Sequence, residues 1–209
     1  MEITRTANAG ILLTMDGTQL LLDGVCREVA PYLGTTPAQW QQLTSNFPTA
    51  AAFTHTHADH FHPDYAQVYK TATGRDCILP GREGEWEVGK LRLAAVPTRH
   101  LGKAGGAENH CSYVVRGSKT LWFMGDAAPG QLKLMEKFPK PEVLVVPFGF
   151  LMSDSAIALV KTYLPCAIVL VHMPDKNHDP EGIWDAVAPG IHQLTEFLYM
   201  PDLGETISL

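Results

Sequence analysis

The sequence predicts a layered α/β or α+β fold in which central sheets are covered by helices, and three observations carry that expectation. Short apolar runs bounded by Gly, Pro or charged residues fill most of residues 10–124, and strand and helix patterns alternate after residue 142. A length of 209 residues suffices for one full core and is short for two, so one domain over residues 1–209 is expected. Hydrophobic residues at 45% against charged residues at 18% give a globular balance and exclude a disordered chain.

The elements follow in order. GILLTM and QLLLDG are joined by Asp16-Gly17, a hairpin signal because both turn positions take positive φ. TPAQWQQL reads as a helix capped by Thr35 or Thr36, with Pro37 in its first turn. AAAF is a short apolar run that ends in the polar cluster THTHADHFHP. PDYAQVYKTATG reads as a helix opened by Pro63 and closed by Gly74. CILP, KLRLAAVPT, SYVVRG and TLWFMGD read as strands, the last two joined by a turn from Arg116 to Lys119. EVLVVPFG is a strand, SDSAIALVKTYL a helix capped by Ser153 or Asp154, and AIVLVHMP a wholly apolar strand. The tail PEGIWDAVAPGIHQLTEFLYM is helical, with an interruption near Pro189-Gly190.

Composition narrows the partners. Sixteen Lys+Arg against 22 Asp+Glu give a net charge of −6, and no basic stripe is visible, so nucleic acid is not an expected partner. No run approaches the ~18 apolar residues of a membrane span, and MEITRTANAG holds no apolar leader segment. Cys26, Cys77, Cys111 and Cys166 lie far apart without a CxxC pair and read as reduced thiols of a cytoplasmic protein. Oligomeric state is not legible at this level.

The chemistry concentrates in His55-Thr56-His57-Ala58-Asp59-His60, three imidazoles and a carboxylate within six residues. Such donors suit Zn²⁺, and also Fe or Mn. On extended backbone His55 and His57 share a face and can chelate one ion, while a turn after them would send Asp59 and His60 towards a second. Neither position is complete without distant residues. His100 ends AAVPTRH, Asp126 ends LWFMGD and His172 ends AIVLVH, so each leaves an apolar strand where rigid ends converge on a crevice. His110, which enters a strand, rivals His100 for the third histidine position. Three imidazoles and an Asp packed together without a metal would be hard to solvate.

HTHADH matches the HxHxDH signature, and over positions 10–172 the sequence resembles the metallo-β-lactamase superfamily. The resemblance implies a four-layer αβ/βα sandwich, an α+β fold of two mixed β-sheets flanked by helices. It also implies a dinuclear site on one sheet edge holding two divalent ions, zinc by first expectation and Mn or Fe as variants. By that analogy His55, His57 and His100 hold one metal, Asp59, His60 and His172 the other, and Asp126 bridges them. Asp23, in LLLDG, would orient a ligating histidine, with a plain Asp-Gly turn as the alternative. His62 is an additional imidazole, read first as a polar residue at a helix entry, with a place behind the ligands or a contribution to substrate binding as the alternatives. The continuation Phe61-His62-Pro63-Asp64 is similar to the ascorbate-phosphate lactonase branch and less like glyoxalase II.

The implied activity is that of a metal-dependent hydrolase. Two divalent ions lower the pKa of a shared water towards ~7, and the resulting hydroxide attacks an ester, lactone or phosphodiester bond of a small substrate. Asp59 and Asp126 are the catalytic carboxylates, Asp59 taking a proton or orienting the nucleophile. Arg99, Lys103 and Lys176 adjoin the ligand-bearing strand ends and would attract an anionic substrate group; solvated loop cations are the alternative. An iron-dependent oxygenase similar to persulfide dioxygenase is the second reading, and a non-catalytic metal-binding protein the third.

Overall fold

In the computed structural model, which describes residues 1–81, 83–102 and 109–209, two mixed sheets pack face to face between layers of helices. The first sheet comprises β1 (Glu2–Arg5), β2 (Ile11–Met15), β3 (Thr18–Leu22), β4 (Ala50–Ala52) and β12 (Thr206–Ser208), in the order β12-β1-β2-β3-β4. The second comprises β5 (Gly84–Val88), β6 (Leu91–Pro97), β7 (Cys111–Arg116), β8 (Thr120–Phe123), β9 (Val143–Pro147), β10 (Ala167–Val171) and β11 (Leu198–Tyr199), in the order β11-β10-β9-β8-β7-β6-β5. Helices α1 (Pro37–Ser45) and α2 (Pro63–Thr73) cover the first sheet, and α3 (Leu132–Met135), α4 (Asp154–Lys161) and α5 (Ile183–Leu194) cover the second.

The alternation of side chains along each strand builds these layers. Leu20 and Leu22 face the other sheet, where they meet Leu121, Phe123, Val143, Val145, Val169 and Val171. Leu21 and Phe53 turn outward onto Leu43 of α1 and Tyr65 and Tyr69 of α2. From the second sheet, Trp122, Leu144, Val146, Ile168 and Leu170 turn outward onto Leu132, Val160, Val187 and Leu194. A strand buried on both faces must be apolar throughout, which is why VLVVP and AIVLV carry no polar residue.

Local signals are realised where they are strongest. Asp16 (φ 53°) and Gly17 (φ 76°) turn the β2–β3 hairpin. Thr36 caps α1 in a reciprocal box with Gln39, Gly74 closes α2 at φ 72°, and Ser153 caps α4.

Two expectations are corrected. CILP forms no strand: Ile78 adds only one isolated bridge beside Ala52, and Pro80 lacks the N–H that would continue the pairing. The tail helix is not interrupted at Pro189, which lies inside α5 on an exposed face with Asp185 one turn before it. Gly190 faces inward instead, so close to Leu151 that a Cβ would stand 2.7 Å from its carbonyl oxygen. After Leu194 the chain leaves the helix and forms β11. Among the described residues no helix is long and apolar enough to cross a membrane.

Candidate metal centre

Strand direction places the ligand-type residues at one edge. β8, β9 and β10 are parallel, and β6 runs the same way because β7 is antiparallel to both β6 and β8. Their C-terminal ends deliver His100, Asp126 and His172, while the parallel pair β3–β4 delivers Asp23 and His55 from the other sheet. The chain turns directly after His57, with the His60 and Phe61 N–H groups bonded to the His57 carbonyl, and so brings Asp59 and His60 back to the same edge.

A hydrogen-bond network fixes the imidazoles. Asp23, fully buried, accepts from the Thr54 N–H at 2.7 Å, the Thr54 hydroxyl at 2.6 Å and His60 Nδ1 at 2.9 Å. Since the Thr54 proton goes to Asp23, its oxygen accepts from His55 Nδ1 at 3.0 Å. Both His55 and His60 therefore carry Nδ1–H and turn Nε2 inward, where a metal ion would take the place of any Nε2 proton. His100 Nδ1 likewise donates to the Leu101 carbonyl. This leaves Asp126 Oδ2 3.2 Å from His60 Nε2, 3.3 Å from His172 Nε2 and 3.5 Å from His100 Nε2. Asp59 Oδ2 lies 3.3 Å from His172 Nε2 and 3.8 Å from His60 Nε2, and His55 Nε2 lies 3.0 Å from His57 Nδ1.

Two groups of three donors emerge, His55/His57/His100 and Asp59/His60/His172, with Asp126 reaching into both. A third compact group, Asp23/His55/His60, is already tied together, His60 bonding Asp23 directly and His55 through Thr54. Within the open groups, His60 Nε2, both His172 nitrogens and Asp126 Oδ1 are buried with no hydrogen-bond partner among the described residues. Imidazole nitrogens facing carboxylate oxygens at this spacing, with no other hydrogen-bond partner among the described residues, fit divalent cations.

The electrostatics agree. Burial opposes protonation of His60, but Asp126 and Asp23 outweigh it and hold its pKa well above 6.5. His172 is raised to about 9 by Asp126 and Asp59 against the same burial penalty. Burial likewise opposes ionisation of Asp126, yet His172, His60 and His100 hold its carboxyl well below the usual range. Without metal, imidazolium protons supply positive charge at the centre.

His110 is close but differently employed. Its Nδ1 donates to Thr98 Oγ1 at 2.8 Å, Thr98 pairs with Ser112 at 3.0 Å, and Ser112 donates to the Met124 carbonyl at 2.9 Å. Its Nε2 accepts the Asp126 N–H at 3.1 Å, and burial lowers its pKa to about 3. Both nitrogens hold the Asp126 loop. Gly125, at φ 53°, allows that loop to approach Thr54, because a Cβ there would lie 2.6 Å from the Thr54 side chain.

His62 stands at the start of α2 with its ring edge-on to Trp40, outside the converging donors. It lines a cavity of about 660 Å³ with Trp40 and Leu33. Arg99 is exposed, the exposed Lys176 places its ammonium over Trp184 at 4.8 Å, and Lys103 falls outside the described residues. Sequence reasoning missed Thr54, Thr98, Ser112 and Asn8, none of which is a ligand type. It also missed Tyr32, whose ring packs edge-on against His172 at 4.4 Å beside Phe148. Only the position of Thr54, directly before HTHADH, signals a role.

No family model and no curated protein matches the chain. Solved structures do. A "possible metal-dependent hydrolase" from Veillonella parvula is 19% identical at a TM-score of 0.76, over 100% of this chain and 99% of that one. An isothiocyanate hydrolase from Delia radicum gut bacteria is 19% identical at 0.70, again over 100% and 99%. CmlA, a diiron β-hydroxylase from Streptomyces venezuelae, is 14% identical at 0.64 and matches the whole chain to 54% of its own length. Other matches carry the metallo-β-lactamase name. In its two packed sheets, its flanking helices and these likenesses, the chain has the metallo-β-lactamase fold.

Proposed function

We propose that the protein is a metal-dependent hydrolase acting on an ester, lactone or phosphodiester bond of a small molecule. The convergence of three Nε2 atoms on Asp126 Oδ2, with buried nitrogens left over, carries the reading. His55, His57 and His100 would hold one divalent ion, Asp59, His60 and His172 a second, and Asp126 would bridge. Bound there, such ions supply Lewis acidity, which acidifies water and polarises a substrate oxygen. Asp23 and Thr54 keep the His55 and His60 Nε2 atoms aimed inward. Asp59 is anionic, its pKa lowered by His172 and His60 against the burial penalty, so it suits orienting the attacking water more than storing its proton. Tyr32 and Phe148 wall the His172 side and exclude water from it.

Zinc is the expected metal, and the four free cysteines and acidic charge fit a cytoplasmic enzyme with no nucleic-acid partner. The likeness to CmlA supports a second reading, a diiron oxygenase, since imidazole and carboxylate also suit iron. Purification without added metal or chelator, elemental mass spectrometry and assay against esters, lactones and phosphodiesters test both. Two zinc or manganese ions with hydrolysis uphold the proposal. Iron with dioxygen consumption replaces it by the oxygenase, and a chain that takes up no metal overturns both.

A further inference from the structure

Asn8 lies in the turn between β1 and β2, outside every donor group, yet it is fully buried and touches two of the donors. Its Nδ2 donates to Asp59 Oδ2 at 3.4 Å and lies 3.5 Å from the Asp59 carbonyl oxygen. That Oδ2 is the oxygen facing His172 and His60. The Asn8 carbonyl accepts the His172 N–H at 3.1 Å. His172 has φ 57°, a left-handed conformation that a histidine keeps only when its surroundings hold it.

The turn is itself anchored. The Arg5 guanidinium donates to the carbonyls of Ala7, Asn8 and Pro201, and the Thr6 N–H reaches the Gly10 carbonyl at 3.0 Å. Gly10 packs so tightly on Asp23 that a Cβ would stand 2.2 Å from the Asp23 carbonyl oxygen. Asn8 is therefore a fixed point, and the Asp59 carboxylate, on a short turn, is the group it can restrain. The Asn8 Oδ1 has no hydrogen-bond partner among the described residues, so the donor end of the amide accounts for its contact with the centre.

We infer that Asn8 is a positioning residue for the Asp59/His60/His172 group, its amide holding the Asp59 carboxylate and its carbonyl holding His172. The inference rests on the metal reading above and assigns the dependence to one of the two groups only.

Metal-stripped chain titrated with Zn²⁺ against a chromophoric chelator, and with Co²⁺ by visible absorption, tests it. The variants are Asn8→Leu, of nearly the same size without a donor, and Asn8→Ser, each also in an Asp59→Ala background. Melting in chelator establishes folding, and Asn8→Ser carries the test if Asn8→Leu does not fold. The expected result is one class of site weakened about 10- to 100-fold, with its Co²⁺ spectrum altered and the other class unchanged. In the Asp59→Ala background the Asn8 variants cause no further loss. Unchanged affinity at both classes, or the same loss without Asp59, overturns the assignment. A wild-type chain that takes up neither ion overturns the metal centre itself, and Asn8's role with it.

Discussion

His60 donates its Nδ1–H to Asp23 Oδ2 across 2.9 Å, and neither side chain has any solvent exposure. The Asp23 carboxylate is shared with both Thr54 donors, so one anion from β3 sets the orientation of His60 directly and of His55 through a hydroxyl. Asp23→Ala leaves an imidazole and two Thr54 donors unpaired in a dry site. The expected cost is about 3–5 kcal/mol in the metal-free chain. Metal affinity falls about 10- to 100-fold. Asp23→Asn turns an NH₂ towards one of three donors and falls between. Urea unfolding in chelator and Zn²⁺ competition check both.

His100 and His110 separate by what their nitrogens already do. His110→Ala strips partners from Thr98 and the Asp126 N–H, a loss of about 1–3 kcal/mol for the unsatisfied groups, while the number of bound ions stays that of wild type. His100→Ala removes a partly exposed side chain, with little effect on melting in chelator, and loses an ion. Elemental analysis beside thermal melts distinguishes them; an ion lost from His110→Ala and kept in His100→Ala would reverse the assignment.

The two histidines illustrate what was legible in the sequence. Both adjoin strand ends, so spacing left them as rivals, and only the packing of Thr98 and the Asp126 loop showed both His110 nitrogens engaged. Local signals translated well because their physics is local: Asp16-Gly17 turns, Thr36 caps, and VLVVP is buried on both faces. GEWEV, which forms β5, was invisible because an edge strand tolerates Glu at alternate positions, as its burial pattern shows. TIS is a strand only by pairing with EITR across the length of the chain, and EITR lies between it and β2. Asn8 was illegible for the same reason, since its partners Asp59 and His172 are distant in sequence.

The metal-free chain should lose stability on the alkaline side. His172 is raised to about 9 and His60 well above 6.5, so both bind protons more tightly folded than unfolded. The stability they contribute is complete below the unfolded value of about 6.5 and is lost as pH rises, the His172 share through about 9 and the His60 share through its own raised value. Asp126 is depressed, so its contribution is present above about 3.9 and disappears as pH falls through its lowered value. A metal ion must displace the imidazolium protons, so affinity rises across the same alkaline window and binding releases protons. Melting curves in chelator, and calorimetry in buffers of different ionisation enthalpy, check the two halves. A chelated chain equally stable at both ends of that window would contradict the charge assignment.

Gly125 ties the Asp126 loop to the Asp23 network by close approach. At φ 53°, a Cβ there would stand 2.6 Å from Thr54 Cγ2 and 2.7 Å from Thr54 Oγ1. Thr54 cannot yield, because its hydroxyl is held between Asp23 and His55. Gly125→Ala therefore meets left-handed backbone strain of about 1–2 kcal/mol. Overpacking adds about 1–3 kcal/mol. The strain is relieved by moving Asp126 away from His60 and His172 or by tilting Thr54 off His55, and either loosens the donors. The expected variant melts lower in chelator and also binds Zn²⁺ at least about tenfold more weakly, because Asp126 Oδ2 faces histidines of both donor groups and its outward shift would act on each. A Gly125→Ala chain that is destabilised but binds Zn²⁺ as wild type does would show that the loop moves without Asp126, and would separate the packing of this glycine from the metal centre.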